Sequence, residues 1–104
     1  MVPTNMQTSC ADLLKILADE TRLAVVRQLL DGAKRVAEIN ETLQIEQSLL
    51  SHHLKVLREA GMVIARRDGK AMLYSLSPEL RGTAAGRRIQ HGINLGCCSI
   101  SFER

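Results

Sequence analysis

Gln47-Ser-Leu-Leu-Ser-His-His-Leu-Lys-Val-Leu-Arg-Glu-Ala-Gly61 is the stretch around which the rest of the chain is arranged. Leu50, Leu54 and Leu57 fall at i, i+4 and i+7, so a helix here buries one leucine stripe while Ser48, Ser51, His52, Lys55 and Arg58 occupy other faces. Gly61, just past the last periodic residue, takes the left-handed cap conformation that stops the helix. Upstream, Val36, Ile39 and Leu43 recur at i, i+3 and i+7 and predict a second short helix over 36–43. Only Gln44, Ile45 and Glu46 separate the two, the compact connection of a helix-turn-helix unit, whose second helix enters DNA. Downstream, residues 62–76 read as two strands around Asp68-Gly69, a strong hairpin signal, with Arg66, Arg67 and Lys70 crowding the tip. A basic hairpin beside a recognition helix is a wing.

The flanks are read from the same rules. Residues 1–8 are polar and read as a flexible N-terminus. Ser9 is placed to cap a first helix carrying Leu13, Leu14, Ile16 and Leu17, and Asp19 to cap a second over about 20–30, with Leu23, Val26 and Leu30 as its buried stripe and Gly32 as its stop. Ser77-Pro78-Glu79 reads as a helix start, predicting a final helix over 78–95. Gly82, Gly86 and Gly92 each weaken it by about 1 kcal/mol relative to alanine and permit either close helix approach or flexibility. The expected organisation is one winged-helix and dimerisation domain over 9–95 and a cysteine-containing tail over 96–104.

Composition narrows the class. A chain of 104 residues makes one domain, and a domain of this size buries only about two thirds of its unfolded surface, so dimerisation would help it. With no Trp, one Tyr and one Phe, aliphatic side chains must fill the interior, which favours packed helices. A net charge of +3 is too small to identify a nucleic-acid partner by itself. The placement of Arg66, Arg67, Lys70, Arg81, Arg87 and Arg88 against only Asp68 and Glu79 says more. No apolar run approaches the roughly 20 residues that span a bilayer, and no signal pattern opens the chain, so a cytoplasmic protein without a membrane partner is expected. Cys10, Cys97 and Cys98 are an odd number without an export signal, which predicts thiols rather than a disulfide framework.

At LADETRL (17–23), SHHLKVLREAGMV (51–63) and the wing, the chain resembles the ArsR/SmtB family of winged-helix repressors. The likeness runs from residue 13 to about 78. It implies a mainly α fold with a β-hairpin wing, a homodimer joined through its first and last helices, and release of DNA when a metal or other small inducer binds. Leu80, Ala84, Ala85, Ile89 and Ile93 would then be buried in the dimer interface. A two-fold dimer presents its recognition helices to successive major grooves about 34 Å apart, so the operator is expected to be an imperfect palindrome of double-stranded DNA. Gln47, Ser48, Ser51 and His52 are the candidates for base edges or adjacent phosphates, and Gln47 can pair with adenine. His53, Lys55 and Arg58 suit backbone contacts or plain surface. Adjacent helical histidines point about 100 degrees apart and do not chelate one ion well. As the resemblance implies, Arg66, Arg67 and Lys70 suit phosphate or minor-groove contact. Two positions depart from the family pattern. Gln44 stands where a small residue is typical, and Glu46 where a serine or threonine cap is typical.

The familiar sensing sites are missing. Arg35 and Ala37 occupy the positions of the family's Cys-x-Cys pair, and His91 with Asn94 do not complete its zinc set on the last helix. Cys97 and Cys98 remain, and Cys10 can approach them, from its own chain or a partner's, if the first and last helices pack together. The resemblance supports this, since some arsenite-responsive members use a C-terminal cysteine pair plus a third cysteine. Three thiolates without a nearby carboxylate suit trivalent arsenic or antimony, As(III) or Sb(III), better than zinc or magnesium, and other thiophilic ions stay open. The expectation is a DNA-binding repressor derepressed by thiolate-bound arsenic or antimony. One rival is a redox or persulfide sensor in which Cys10 bridges to one of the pair. A rival of another class is a small thiol-dependent enzyme or metalloid-sequestering protein, against which stand the missing phosphate loop and the residues committed to the winged helix.

Overall fold

The computed structural model describes residues 9–81, the backbone at 83–84 and 87–88, and residues 91–102. The expected flexible segment 1–8 lies outside the described residues. Four helices come first. In α1 (Cys10–Leu17) the Ser9 side chain accepts the Asp12 N–H at 3.1 Å, and in α2 (Glu20–Leu29) the Asp19 carboxylate accepts that of Arg22 at 3.0 Å. Each cap satisfies a donor that the first helical turn leaves unpaired. The buried face of α2 is Val25, Val26 and Leu29, with Leu23 and Leu30 only half-buried against the core. The expected stripe of Leu23, Val26 and Leu30 is thus rotated, because α2 is covered on two sides, by α3 (Val36–Leu43) and by α4 (Gln47–Glu59).

The helix-turn-helix has the expected bounds. Leu50, Leu54 and Leu57 of α4 are buried together with Ile39 of α3, each leucine contributing about 1.5–3 kcal/mol relative to exposure. The strands β2 (Val63–Asp68) and β3 (Ala71–Leu76) pair antiparallel from Val63↔Leu76 to Asp68↔Ala71. That register leaves Gly69 and Lys70 as the turn, one residue later than the Asp68-Gly69 signal, with Gly69 at φ +66. A third strand, β1 (Lys34–Arg35), adds to the free edge of β3, giving the order β1-β3-β2.

The final helix expected over 78–95 is not formed. Ser77, its expected cap, is buried, its hydroxyl donating to the Gly61 carbonyl at 2.8 Å and its N–H to the Met62 carbonyl at 2.9 Å. Its side chain is turned to the end of α4, which it straps down. One turn follows, closed by Leu80 N–H to Ser77 and Arg81 N–H to Pro78, and the chain then runs into Gly82. Beyond lie two small hairpins, β4 (Thr83–Ala84) with β5 (Arg87–Arg88), and β6 (Gly92–Asn94) with β7 (Ser99–Ser101). Leu80 and Ile93, expected in a helical dimer interface, are buried in this chain's own core, while the side chains of Ala84, Ala85 and Ile89 lie outside the described residues. The expected last helix is corrected accordingly: α4, the recognition helix, is the last helix among the described residues. The expected boundary between 95 and 96 falls inside the turn of the β6–β7 hairpin.

Candidate nucleic-acid interface and metal centre

The turn that aims α4 is held by a residue sequence reasoning missed. Asn40 grips Ile45 with both side-chain atoms, Nδ2 donating to its carbonyl at 2.9 Å and Oδ1 accepting its N–H at 3.0 Å. Between them Gln44 adopts a left-handed conformation at φ 53 and ψ 51 and donates its N–H to the Asn40 carbonyl at 2.8 Å. That is the geometry glycine favours, which explains the small residue typical at this position. Glu46 precedes α4 without a side-chain cap bond. An asparagine four residues before a turn is a weak signal, because Asn is common in any polar loop.

On α4, Gln47, Ser48, Ser51, His52 and Lys55 are exposed together on the side away from the leucines. His53 is not with them. It is 8% exposed, sits with Leu50, Leu54 and Leu57 on the buried stripe, and its Nδ1 has no hydrogen-bond partner among the described residues. The expectation that His53 meets the DNA backbone is therefore corrected. Leu50 is three residues before it and Leu57 four after, so the i, i+3, i+4, i+7 rule already placed it inside. The two imidazole rings, 5.6 Å apart and tilted by 58°, divide into one exposed and one buried ring. The carboxyl of Asp19, the cap of α2, is held below its ordinary value chiefly by the Arg22 N–H and also by the charges of His53 and Arg22, against the opposing effect of burial.

The wing projects its basic residues as expected. Arg66, Arg67 and Lys70 are exposed, while Asp68 is engaged by Arg35, whose Nη2 lies 2.7 Å from Oδ2. Arg35 also donates its backbone N–H to Glu38 at 2.7 Å, so one residue ties the start of α3 to the wing tip. The acidic partner in the wing is thereby neutralised within the fold. Three cations are left facing outward.

At the other end of the molecule the three cysteines meet within one chain. Cys10 is the first residue of α1, and Cys97 and Cys98 lie in the β6–β7 turn, shaped by Gly96 at φ +91, by Leu95 N–H to the Cys98 carbonyl at 2.8 Å and by Gly96 N–H to Asn94 Oδ1 at 2.9 Å. Cys10 and Cys97 are joined by a disulfide, and the free Cys98 sulfur lies 3.7 Å from Sγ of Cys10 and 3.9 Å from Sγ of Cys97. The expectation of three thiols is corrected at two of them. A cross-link needs only two sulfurs brought together, and the hairpin does that. All three sulfurs lie within 4.8 Å of one another, and both members of the pair are exposed, so a reduced cluster offers one small ion three soft ligands.

Residues 19–65 match the family model for bacterial regulatory proteins of the arsR family. The arsenical resistance operon repressor of Escherichia coli is 43% identical over 74 residues, covering 70% of this chain and 63% of that protein. The crystal structure of the transcriptional repressor BigR from Xylella fastidiosa is 38% identical, superimposes with a TM-score of 0.62, and is matched over 74% of this chain and 82% of its own. The chain belongs to the ArsR family. A homodimeric winged helix-turn-helix DNA-binding domain from Mycobacterium bovis, solved in solution, is also similar, at 30% identity and a TM-score of 0.60 over 64% of this chain and 62% of its own. The chain spans 55–63% of the length of several sequence relatives. Those relatives are named as regulators rather than enzymes. The family model ends at residue 65, so the cysteine pair of this ArsR-family chain lies beyond what the family pattern describes. No described helix is long and apolar enough to cross a membrane.

Proposed function

We propose that this chain is a homodimeric transcriptional repressor whose hold on operator DNA is released when trivalent arsenic or antimony binds the reduced thiolates of Cys10, Cys97 and Cys98. The observation that carries the reading is the convergence of these three sulfurs in one chain. The DNA half rests on the exposed polar face of α4 and on the three outward cations of the wing. Gln47, Ser48, Ser51 and His52 meet base edges or neighbouring phosphates, and Lys55, Arg66, Arg67 and Lys70 neutralise phosphates. The similar domain from Mycobacterium bovis, homodimeric by its title, supports pairing of two chains on an imperfect palindrome. Exposed Leu14 makes α1 the natural element for that contact.

Loading begins with reduction. Two cellular thiols, oxidised to their own disulfide, supply the two electrons and two protons that convert the Cys10–Cys97 bridge to two thiols. Arsenous acid then condenses with three thiols, forming three arsenic–sulfur bonds and releasing three waters. A physical path leads from there to α4: the Asn94 N–H binds the Leu80 carbonyl at 2.8 Å, Leu80 packs in the core, and neighbouring Ser77 straps the α4 terminus. Movement of the hairpin as three sulfurs close around one atom is passed along this path to the recognition helix.

A second reading has its own observation. The Cys10–Cys97 bridge is the bond a redox-sensing repressor would use, with Cys98 close enough to exchange into it. Fluorescence anisotropy of a duplex from the protein's own promoter, at fixed salt, separates the two. Under reducing conditions arsenite is expected to release the wild type and not Cys97→Ser/Cys98→Ser. Release by an oxidant or persulfide donor alone would transfer the role to redox sensing, and indifference to all of them would defeat both readings.

A further inference from the structure

Among the described residues only Leu14, Leu49 and Ile64 are large apolar side chains left exposed. Ile64 lies on the outward face of the wing and Leu14 on α1, whereas Leu49 is in the first turn of the recognition helix. An exposed leucine taken alone means little. The position is what matters here. Leu49 is 44% exposed and stands one turn from exposed His52 at i+3 and from buried His53 at i+4, at the edge of the polar face of α4. Its Cβ direction is about 100 degrees from that of Leu50, so it stays outside the stripe that holds α4 to the core. The N-terminal turn of a recognition helix is the part that reaches base edges.

An isobutyl group neither donates nor accepts a hydrogen bond. On a major-groove edge the one feature it recognises is the C5 methyl of thymine, since every other distinguishing group there is a donor or an acceptor. We propose that Leu49 is a specificity-determining residue that packs on a thymine methyl, so that each half-site requires thymine at one fixed position beside the bases met by Ser48 and His52. The inference rests on the proposal that α4 reads DNA and names one element of what it reads. Leu49 is not among the hydrophobic residues packed on the core, so its truncation is expected to leave the fold intact.

The test uses the tightest duplex selected from a random-sequence pool by the full-length wild type, with each thymine replaced in turn by deoxyuridine, which lacks only the methyl. One position per half-site is expected to weaken wild-type binding about four-fold, the equivalent of one buried methyl-sized group. That penalty should vanish in Leu49→Ala and persist in Ser48→Ala. Equal penalties in wild type and Leu49→Ala at every thymine, or no penalty anywhere, would overturn the assignment. Failure to select any preferred sequence would overturn the DNA-reading proposal beneath it as well, and so is distinguishable from failure of Leu49 alone.

Discussion

Residues 19–76 and residues 77–102 are built on different principles. The first segment, most of which the family model covers, is held by leucines at helical spacing, the Asp19 cap and a regular hairpin. The second has no helix among the described residues and is fixed by individual attachments: Leu80 and Ile93 in the core, Arg81 Nη2 on the Leu29 carbonyl at 2.7 Å, Arg27 5.2 Å over the Phe102 ring, and the bridge from Cys97 to Cys10. A DNA-reading unit needs a rigid, repeatable frame. A sensing unit needs a segment whose anchors can be exchanged without unfolding that frame.

The sharpest way to break this contrast is through the core. Leu54→Ala is expected to cost about 2–5 kcal/mol, as cavity-forming substitutions do, and to abolish the cooperative unfolding transition of the frame. Ile93→Ala should fall in the same range if the hairpin shares that core. A loss for Ile93→Ala near zero in denaturant titration would show the C-terminal segment to be merely draped on the frame.

Next comes the cross-link. Without reductant, Cys10→Ser is expected to lose about 2–4 kcal/mol through the freed denatured chain, given the 87-residue separation it closes. In excess dithiothreitol the wild type and variant should converge. A gap that survives reduction would mean that Cys10 acts by packing instead.

Within the frame, Gln44→Gly is expected to stabilise the protein by about 1 kcal/mol, since glycine adopts the left-handed conformation freely. Thermal unfolding reads this directly, and a drop in stability would mean that the Gln44 side chain contributes more than its backbone costs. Asp19→Ala should cost about 1 kcal/mol near neutral pH, the worth of an N-cap. Its sign with pH is set by the depressed acidity. The folded Asp19 titrates below its ordinary 3.8, so its contribution is complete above that value and is lost as pH falls through the lower folded one. Wild type and Asp19→Ala stabilities should therefore converge in acid and stay apart above about pH 4.

The frame was legible because its signals are local and repeated. Leucine spacing gave α4, glycines gave its stop and the wing turn, and Ser9 and Asp19 gave two caps. His53 is a polar residue type at a buried position, and its spacing from Leu50 and Leu57, not its chemistry, places it on the stripe. The two-residue β1 carries no pattern long enough to read. Ser77-Pro78-Glu79 has the residue types of a helix start, but Ser77 is buried with its hydroxyl on Gly61 and its N–H on Met62, groups distant in sequence that no local pattern reveals. The cysteine cluster was legible as a possibility from residue type, but the short hairpin that assembles it depends on attachments that no local periodicity encodes.

Coupling between the cysteine cluster and the DNA-reading face is measured most simply as a reciprocal effect. Arsenite affinity of the reduced protein would be determined with and without saturating operator duplex. If thiolate-bound arsenic releases DNA by biasing one shared equilibrium, the operator must weaken arsenite binding by the same factor by which arsenite weakens operator binding, expected at roughly 5–150-fold. Equal arsenite affinity in the presence and absence of the duplex would contradict the account, because two sites that do not alter each other's binding cannot form a switch.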